Sequence, residues 1–193
     1  MFSPSGSTVQ LKTKDRRNRF TWLAAGRDVP AKDYDNLLAA FRGVRAQAPS
    51  TELCIVGQPG DHRTRGELCN ASGVRWLGVS REMAETIARC DAFVLSSAWE
   101  GMPLVVGEAM AMEKPVVVTD VGGVRELVGD SGIIVPSQDS RALAEAMLRL
   151  TRMPESDRAS MGKAARKRII CKFEIHEKAN EWEALYSRIL ASR

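Results

Sequence analysis

The sequence predicts an α/β fold. It should be a Rossmann-like, doubly wound and mostly parallel sheet of about six strands, with helices on both faces and two C-terminal helices. Three observations carry this expectation. Short apolar runs recur at Phe20–Ala25, Leu53–Val56, Val74–Leu77, Ala92–Leu95, Val116–Val118 and Ile133–Val135. Most of them lack polar alternation, as strands buried on both faces do. Helical patterns with short connections lie between them, and after Thr151 the runs stop and two helical stretches follow.

Taken in order, residues 1–18 are polar and rich in Ser, Gly and Lys/Arg, and read as a flexible basic lead-in to one domain over 19–193. The first run leads into Gly26-Arg27-Asp28-Val29-Pro30, where Pro30 stiffens the loop. Leu37, Leu38, Phe41 and Val44 then form one helical stripe. Met83, Ile87 and Ala88 predict a short helix ahead of Ala92–Leu95. Pro103 suits a helix's first turn, and Val105, Val106, Ala109 and Met110 follow it. Asp139 is a plausible N-cap for Leu143, Met147 and Leu150 at i, i+4 and i+7. Residues 155–172 and 174–191 both read as helices. The stripe Trp182, Leu185 and Ile189 on the second is expected to pack on its own domain, the alternative being that it reaches another domain or chain.

Composition removes several function classes. With 193 residues, 44% hydrophobic and 27% charged, the chain resembles one soluble domain rather than a disordered or coiled-coil one. No apolar run approaches the roughly 20 residues of a membrane span. The net charge of +4 conceals an acidic core: residues 1–19 and 152–193 each carry +4, and residues 20–151 carry −4. Aromatics are only 6%, which argues against a nucleic-acid binder's basic stripe with stacking platforms. Cys54, Cys69, Cys90 and Cys171 make no C-x-x-C pair, and neither His62 nor His176 has a zinc-ligand spacing, so no metal or disulfide framework is expected. No apolar stretch follows the early basic residues as a secretory signal would require, which makes the cytoplasm the default compartment. Neither a G-x-S-x-G elbow nor a phosphate-binding G-x-x-x-x-G-K-[ST] occurs, and the first loop is not the G-x-G-x-x-G of dinucleotide binding.

The informative stretch is Ser96-Ser97-Ala98-Trp99-Glu100-Gly101-Met102-Pro103-Leu104-Val105-Val106-Gly107-Glu108. It leaves a buried strand and turns into a helix, so the Gly101–Leu104 backbone would offer unpaired N–H groups at a helix N-terminus, a natural place for phosphate. Glu100 and Glu108 could border one pocket, where carboxylates accept from paired sugar hydroxyls. Glu108 lies among Val105, Val106, Ala109 and Met110, an apolar setting in which an unpaired carboxylate is costly and therefore wants a role. Arg27 and Lys32, after the first strand, could clamp a diphosphate.

These residues resemble the family 4 retaining glycosyltransferases of the GT-B fold. The match rests on Glu100-x7-Glu108 with Ala109-Met110-Ala111, Pro115-Val116-Val117 and Gly122-Gly123. In order along the chain it also includes Gly26-Arg27, Pro30 and Lys32, Leu53 to Gly57, Val74 to Gly78, and Gly132 to Pro136. It covers roughly residues 20–190. The resemblance implies a domain that binds a nucleotide-diphosphate sugar, such as a UDP- or GDP-sugar, without a metal or other cofactor. It assigns the transferred sugar to Glu100, the diphosphate to Arg27 and Lys32, and the ribose hydroxyls to Glu108. It places backbone amides near Met102–Val105 against phosphate and sugar, counts Gly101, Met102, Pro103, Leu104, Val105 and Gly57 as donor-binding, and sets Gly78 and Val79 along the base. Only the donor-binding half of a two-domain enzyme is matched, so the acceptor-binding half would be a missing N-terminal domain or a partner chain. Met1-Phe2-Ser3-Pro4 resembles the end of the linker joining such halves. Gln58-Pro59-Gly60 departs from the family, which more often has an acidic residue and a glycine there. The implied activity is transfer of a sugar to a glycan or lipid-linked acceptor, with peripheral contact of Lys12 to Arg19 on an anionic membrane as a further expectation. The alternatives are a non-catalytic interaction module and an epimerase- or phosphorylase-like GT-B domain.

Overall fold

The computed structural model describes residues 19–58 and 72–191. The expected lead-in over residues 1–18, as well as His62 and Cys69, lies outside the described residues. Among the described residues six strands form one sheet: β1 (Phe20–Ala25), β2 (Thr51–Val56), β3 (Val74–Gly78), β4 (Ala92–Leu95), β5 (Val116–Thr119) and β6 (Ile133–Val135). Their order is β3-β2-β1-β4-β5-β6, and all five pairings are parallel. The central strands read as unbroken apolar runs because each side chain meets a covered face. Trp22 and Ala24 point into one core layer, while Leu23 and Ala25 point into the other. The edge strands β3 and β6 are only partly buried, as their position in the sheet requires.

Helices α1 (Tyr34–Gln47) and α5 (Ser140–Arg152) pack together on the Trp22 face. Helices α2 (Met83–Ala88), α3 (Leu104–Ala111), α4 (Val124–Val128) and α6 (Glu155–Phe173) cover the other. The cap expected at Asp139 forms, its side chain accepting from Ala142 N at 2.9 Å. Helix α1 starts from Asp33, whose left-handed φ of 47° turns the chain and whose carboxylate accepts from Asn36 N at 3.3 Å.

The last helix, α7 (Ile175–Ala191), departs from expectation. It buries no residue, and Trp182, Tyr186, Ile189 and Leu190 are all exposed, so the stripe does not pack on its own domain. The reason is local. Glu174 takes an extended conformation after α6, so the chain breaks there and α7 does not continue the α6 axis. Cys54 and Cys90 are buried, Cys171 is exposed, and all three are free thiols.

Strand order decides where a ligand can sit. From β1 the chain adds β2 and β3 on one side, then returns to place β4 against the other edge of β1. The connections after β1 and β4 therefore diverge, opening a crevice at the carboxyl ends of these two strands.

Candidate functional site

The floor of that crevice is bare backbone. Gly26 N donates to Val56 O at 2.8 Å, and Gly57 N donates to Gly78 O at 2.9 Å. A Cβ on Gly57 would lie 1.8 Å from Gly26 O, so only glycine lets the β1 and β2 loops approach this closely. Tyr34 Oη donates to Gly26 O at 3.1 Å from beneath. Burial pushes the Tyr34 hydroxyl pKa well above its ordinary value, and the carboxylates of Asp28 and Glu100 push it the same way.

The β4–α3 loop forms the wall. Ser96 Oγ donates to Lys32 O at 2.8 Å, and Ala98 N donates to Ala31 O at 2.9 Å, which fastens this loop to the one after β1. Lys32 Nζ donates to Glu100 Oε1 at 2.6 Å, and Ser97 Oγ donates to the same oxygen at 2.7 Å. Both members of the Lys32–Glu100 pair are mostly buried, at 18% and 17% exposure, so solvent screens them only partly. A third loop supports the second. Thr119 Oγ1 donates to Ser97 O at 2.7 Å, and Gly123 N donates to Gly101 O at 2.7 Å. Gly122 has a φ of 48°, and a Cβ there would stand 2.0 Å from Glu100 O.

The resulting cleft has a volume of about 510 Å³. It gathers Arg27, Lys32, Gly57, Val79, Glu100 and the Met102-Pro103-Leu104-Val105 turn from the residues singled out in the sequence. Gly78, Gly101 and Glu108 are not in its lining. Gly78 is nonetheless tied to the cleft floor through Gly57, whose amide donates to its carbonyl. Glu108 is exposed on α3, because Val106, Ala109 and Met110 turn towards the sheet and leave it on the solvent side. The argument from an apolar setting therefore fails for Glu108: sequence neighbours on a helix point in different directions. Gln58, Ser80 and Met83 also line the cleft, and nothing in the sequence marked Ser80 or Met83 as part of a site.

The groups around the cleft suit an anion. Pro103 occupies the N-cap of α3 and supplies no side-chain acceptor; Val106 N donates to Pro103 O at 3.0 Å, so the amides of Leu104 and Val105, two residues of the cleft lining, and the positive end of the helix are left for a ligand. Arg27 is exposed at the rim and makes no ion pair among the described residues. Lys32 supplies a second cation, Glu100 an acceptor for hydroxyls, and Val79, Met83 and Leu104 offer apolar surface. Among the described residues no three His, Cys, Asp or Glu side chains are grouped so as to hold a metal ion.

Comparison with known proteins agrees with this fold. The family model "Glycosyl transferases group 1" matches residues 19–153. The UDP-Gal:alpha-D-GlcNAc-diphosphoundecaprenol alpha-1,3-galactosyltransferase of Escherichia coli is 26% identical over 211 aligned positions, covering 100% of this chain and 52% of that protein. The phosphatidyl-myo-inositol mannosyltransferase of Mycobacterium leprae is 30% identical over 152 residues, covering 76% of this chain and 41% of its own length. The chain thus spans about half the length of these relatives. Among solved structures, Anabaena HepE in complex with UDP and glucose superposes with a TM-score of 0.76 at 26% identity, covering 88% of this chain and 49% of that one. The sucrose-phosphate synthase of Thermosynechococcus elongatus superposes with a TM-score of 0.79 at 27% identity, covering 91% and 47%.

Proposed function

The chain belongs to the glycosyl transferases group 1 family, and from that premise we propose that its cleft binds a nucleotide-diphosphate sugar as the donor half of a retaining, family 4 type glycosyltransferase. The observation that carries this reading is the convergence of Arg27, Lys32 and the uncapped α3 N-terminus on one opening at the switch point of the sheet. A diphosphate satisfies all three. The transferred sugar then lies against Glu100, and the ribose reaches out towards Glu108, whose exposure leaves its carboxylate available to hydroxyls. The base lies along Gly78 and Val79, with Met83 as apolar support. As the glycosidic bond breaks, negative charge grows on the leaving diphosphate, and fixed cations and helix amides aimed at it lower the barrier.

The acceptor is proposed to be a glycan or a lipid-linked saccharide bound by a second body, an N-terminal domain or partner chain. Two findings support this: relatives about twice as long, and the unpartnered apolar face of α7. Without that body the chain binds donor and transfers nothing. The compartment that fits is the cytoplasm, at the inner face of the membrane, where the basic stretch Lys12 to Arg19 meets anionic lipid.

Calorimetry with UDP, GDP and ADP tests the donor reading. One of the three is expected to bind in the micromolar to millimolar range, and absence of heat from all of them at millimolar concentration would sink the assignment. Sedimentation with anionic vesicles, with and without residues 1–19, tests the membrane contact separately.

A further inference from the structure

We propose that Ser97, held in place by Thr119, is a positioning residue that fixes the Glu100 carboxylate for the transferred sugar once Lys32 has turned to the phosphates. This rests on the donor reading above, and deepens it by separating the two partners of Glu100.

Both Lys32 Nζ and Ser97 Oγ donate to Oε1 of Glu100, at 2.6 and 2.7 Å. They are not equivalent. The lysine ammonium is a mobile point charge on a four-carbon stem. A diphosphate carries more negative charge than one carboxylate, and it enters beside the α3 N-terminus and Arg27, within the cleft that Lys32 lines. The ammonium is therefore shared with, or lost to, the ligand. Ser97 has no such freedom. It is 0% exposed, at the carboxyl end of β4, and a buried hydroxyl without a partner is costly. Its carbonyl is held by Thr119 Oγ1 at 2.7 Å, and Thr119 is also 0% exposed at the end of β5. The chain of bonds runs from the sheet through Thr119 and Ser97 to Glu100. It ends on a single oxygen, and among the described residues no donor reaches the other, Oε2, which is left for a sugar hydroxyl.

The separation makes a specific demand. Removing the Ser97 hydroxyl should leave recognition of the bare diphosphate alone and erase the additional affinity that a sugar confers. Calorimetry on the full chain, with UDP against UDP-glucose, GDP against GDP-mannose and ADP against ADP-glucose, measures that ratio directly. Ser97→Ala is expected to keep diphosphate affinity within about twofold and to lower the sugar-to-diphosphate ratio about tenfold, the cost of a lost charge-assisted hydrogen bond. Ser97→Thr, which retains the hydroxyl, should restore the ratio. Thr119→Val, isosteric but without the donor, should shift it the same way by about threefold. A parallel loss for diphosphate and sugar nucleotide would mark Ser97 as merely structural and overturn the proposal. So would an unchanged ratio in Ser97→Ala, or a wild-type chain that gains nothing from the sugar. If no nucleotide binds the wild-type chain at all, the donor reading falls and takes this one with it; if nucleotide binds and only the ratio fails to respond, this inference alone is lost.

Discussion

The two ends of the sheet each carry a cleft, and the larger is not the candidate site. The opening at the amino ends of the strands measures about 690 Å³, against about 510 Å³ at the carboxyl ends. Charged residues line both, but at the amino end the cations already have their bonds. Lys114 Nζ donates to Ala88 O at 2.9 Å and Cys90 O at 2.7 Å, Asp91 accepts from Thr21 N at 2.7 Å, and Arg19 pairs with Glu52. Arg158 bonds Met153 O and lies 5.1 Å from the centre of the Phe20 ring. Helix geometry explains the asymmetry. In a parallel sheet each crossover helix begins at the carboxyl ends of the strands, so unpaired amides collect there and unpaired carbonyls collect opposite. The carbonyl-rich end accepts a cation, and the chain provides its own in Lys114. The amide-rich end suits an anion: Glu100, the carboxylate in its lining, pairs with Lys32, while Arg27 and the Leu104 and Val105 amides remain for a ligand. Uncommitted positive charge, not volume, distinguishes the candidate site.

This comparison can be broken by substitution. The largest effect is expected from Gly57→Ala, which forces a Cβ to 1.8 Å from Gly26 O. It should cost about 3 kcal/mol or more of stability, read by urea unfolding, and abolish nucleotide binding by parting the β1 and β2 loops. Next is a crossed pair. Arg27→Ala should weaken diphosphate binding about tenfold and leave the unfolding midpoint unchanged, because its cation faces solvent and the ligand. Lys114→Met should do the reverse, lowering stability by about 1–2 kcal/mol by stranding two carbonyls, with nucleotide affinity untouched. Equal losses of affinity in both variants would end the distinction between the clefts. A smaller effect is expected for Glu108→Ala, about fivefold in nucleotide affinity with no change in stability, since its side chain stands clear of the core.

The smallest effect concerns pH. Tyr34 has a folded-state pKa raised above its unfolded value of about 10. Below that value the hydroxyl is neutral in both states and its contribution is complete. As pH rises past it, the unfolded chain ionises first, and stability falls. Tyr34→Phe should flatten this alkaline loss between about pH 10 and 11, measured as the urea midpoint against pH; an unchanged slope would place the effect elsewhere.

Much of the architecture was readable because it rests on local rules. Ala92–Leu95 and Ile133–Val135 are strands at the bounds their apolar runs imply, and Asp139 caps α5 as its side chain requires. The Glu100 turn was legible for the same reason, being a strand end, a proline and a helix in sequence. Ser80 and Met83 were not legible, because they enter the cleft only through the way β3 pairs beside β2. The apolar setting inferred for Glu108 does not hold, because helical direction rather than neighbouring residues sets its exposure. The Trp182 stripe was assigned to the domain's own core, since amphipathic spacing shows that a helix has an apolar face but not what that face meets.

The sequence by itself determined the strands, the helices and the loop that carries Glu100, since periodicity, caps and turn residues act over a few neighbours. Only the tertiary structure decided that Lys32 and Ser97 meet on one oxygen of Glu100, that Thr119 stands behind Ser97, and that α7 leaves the domain uncovered. Those are contacts between segments far apart in the chain, and the order of strands in the sheet, which no local pattern encodes, brings them together.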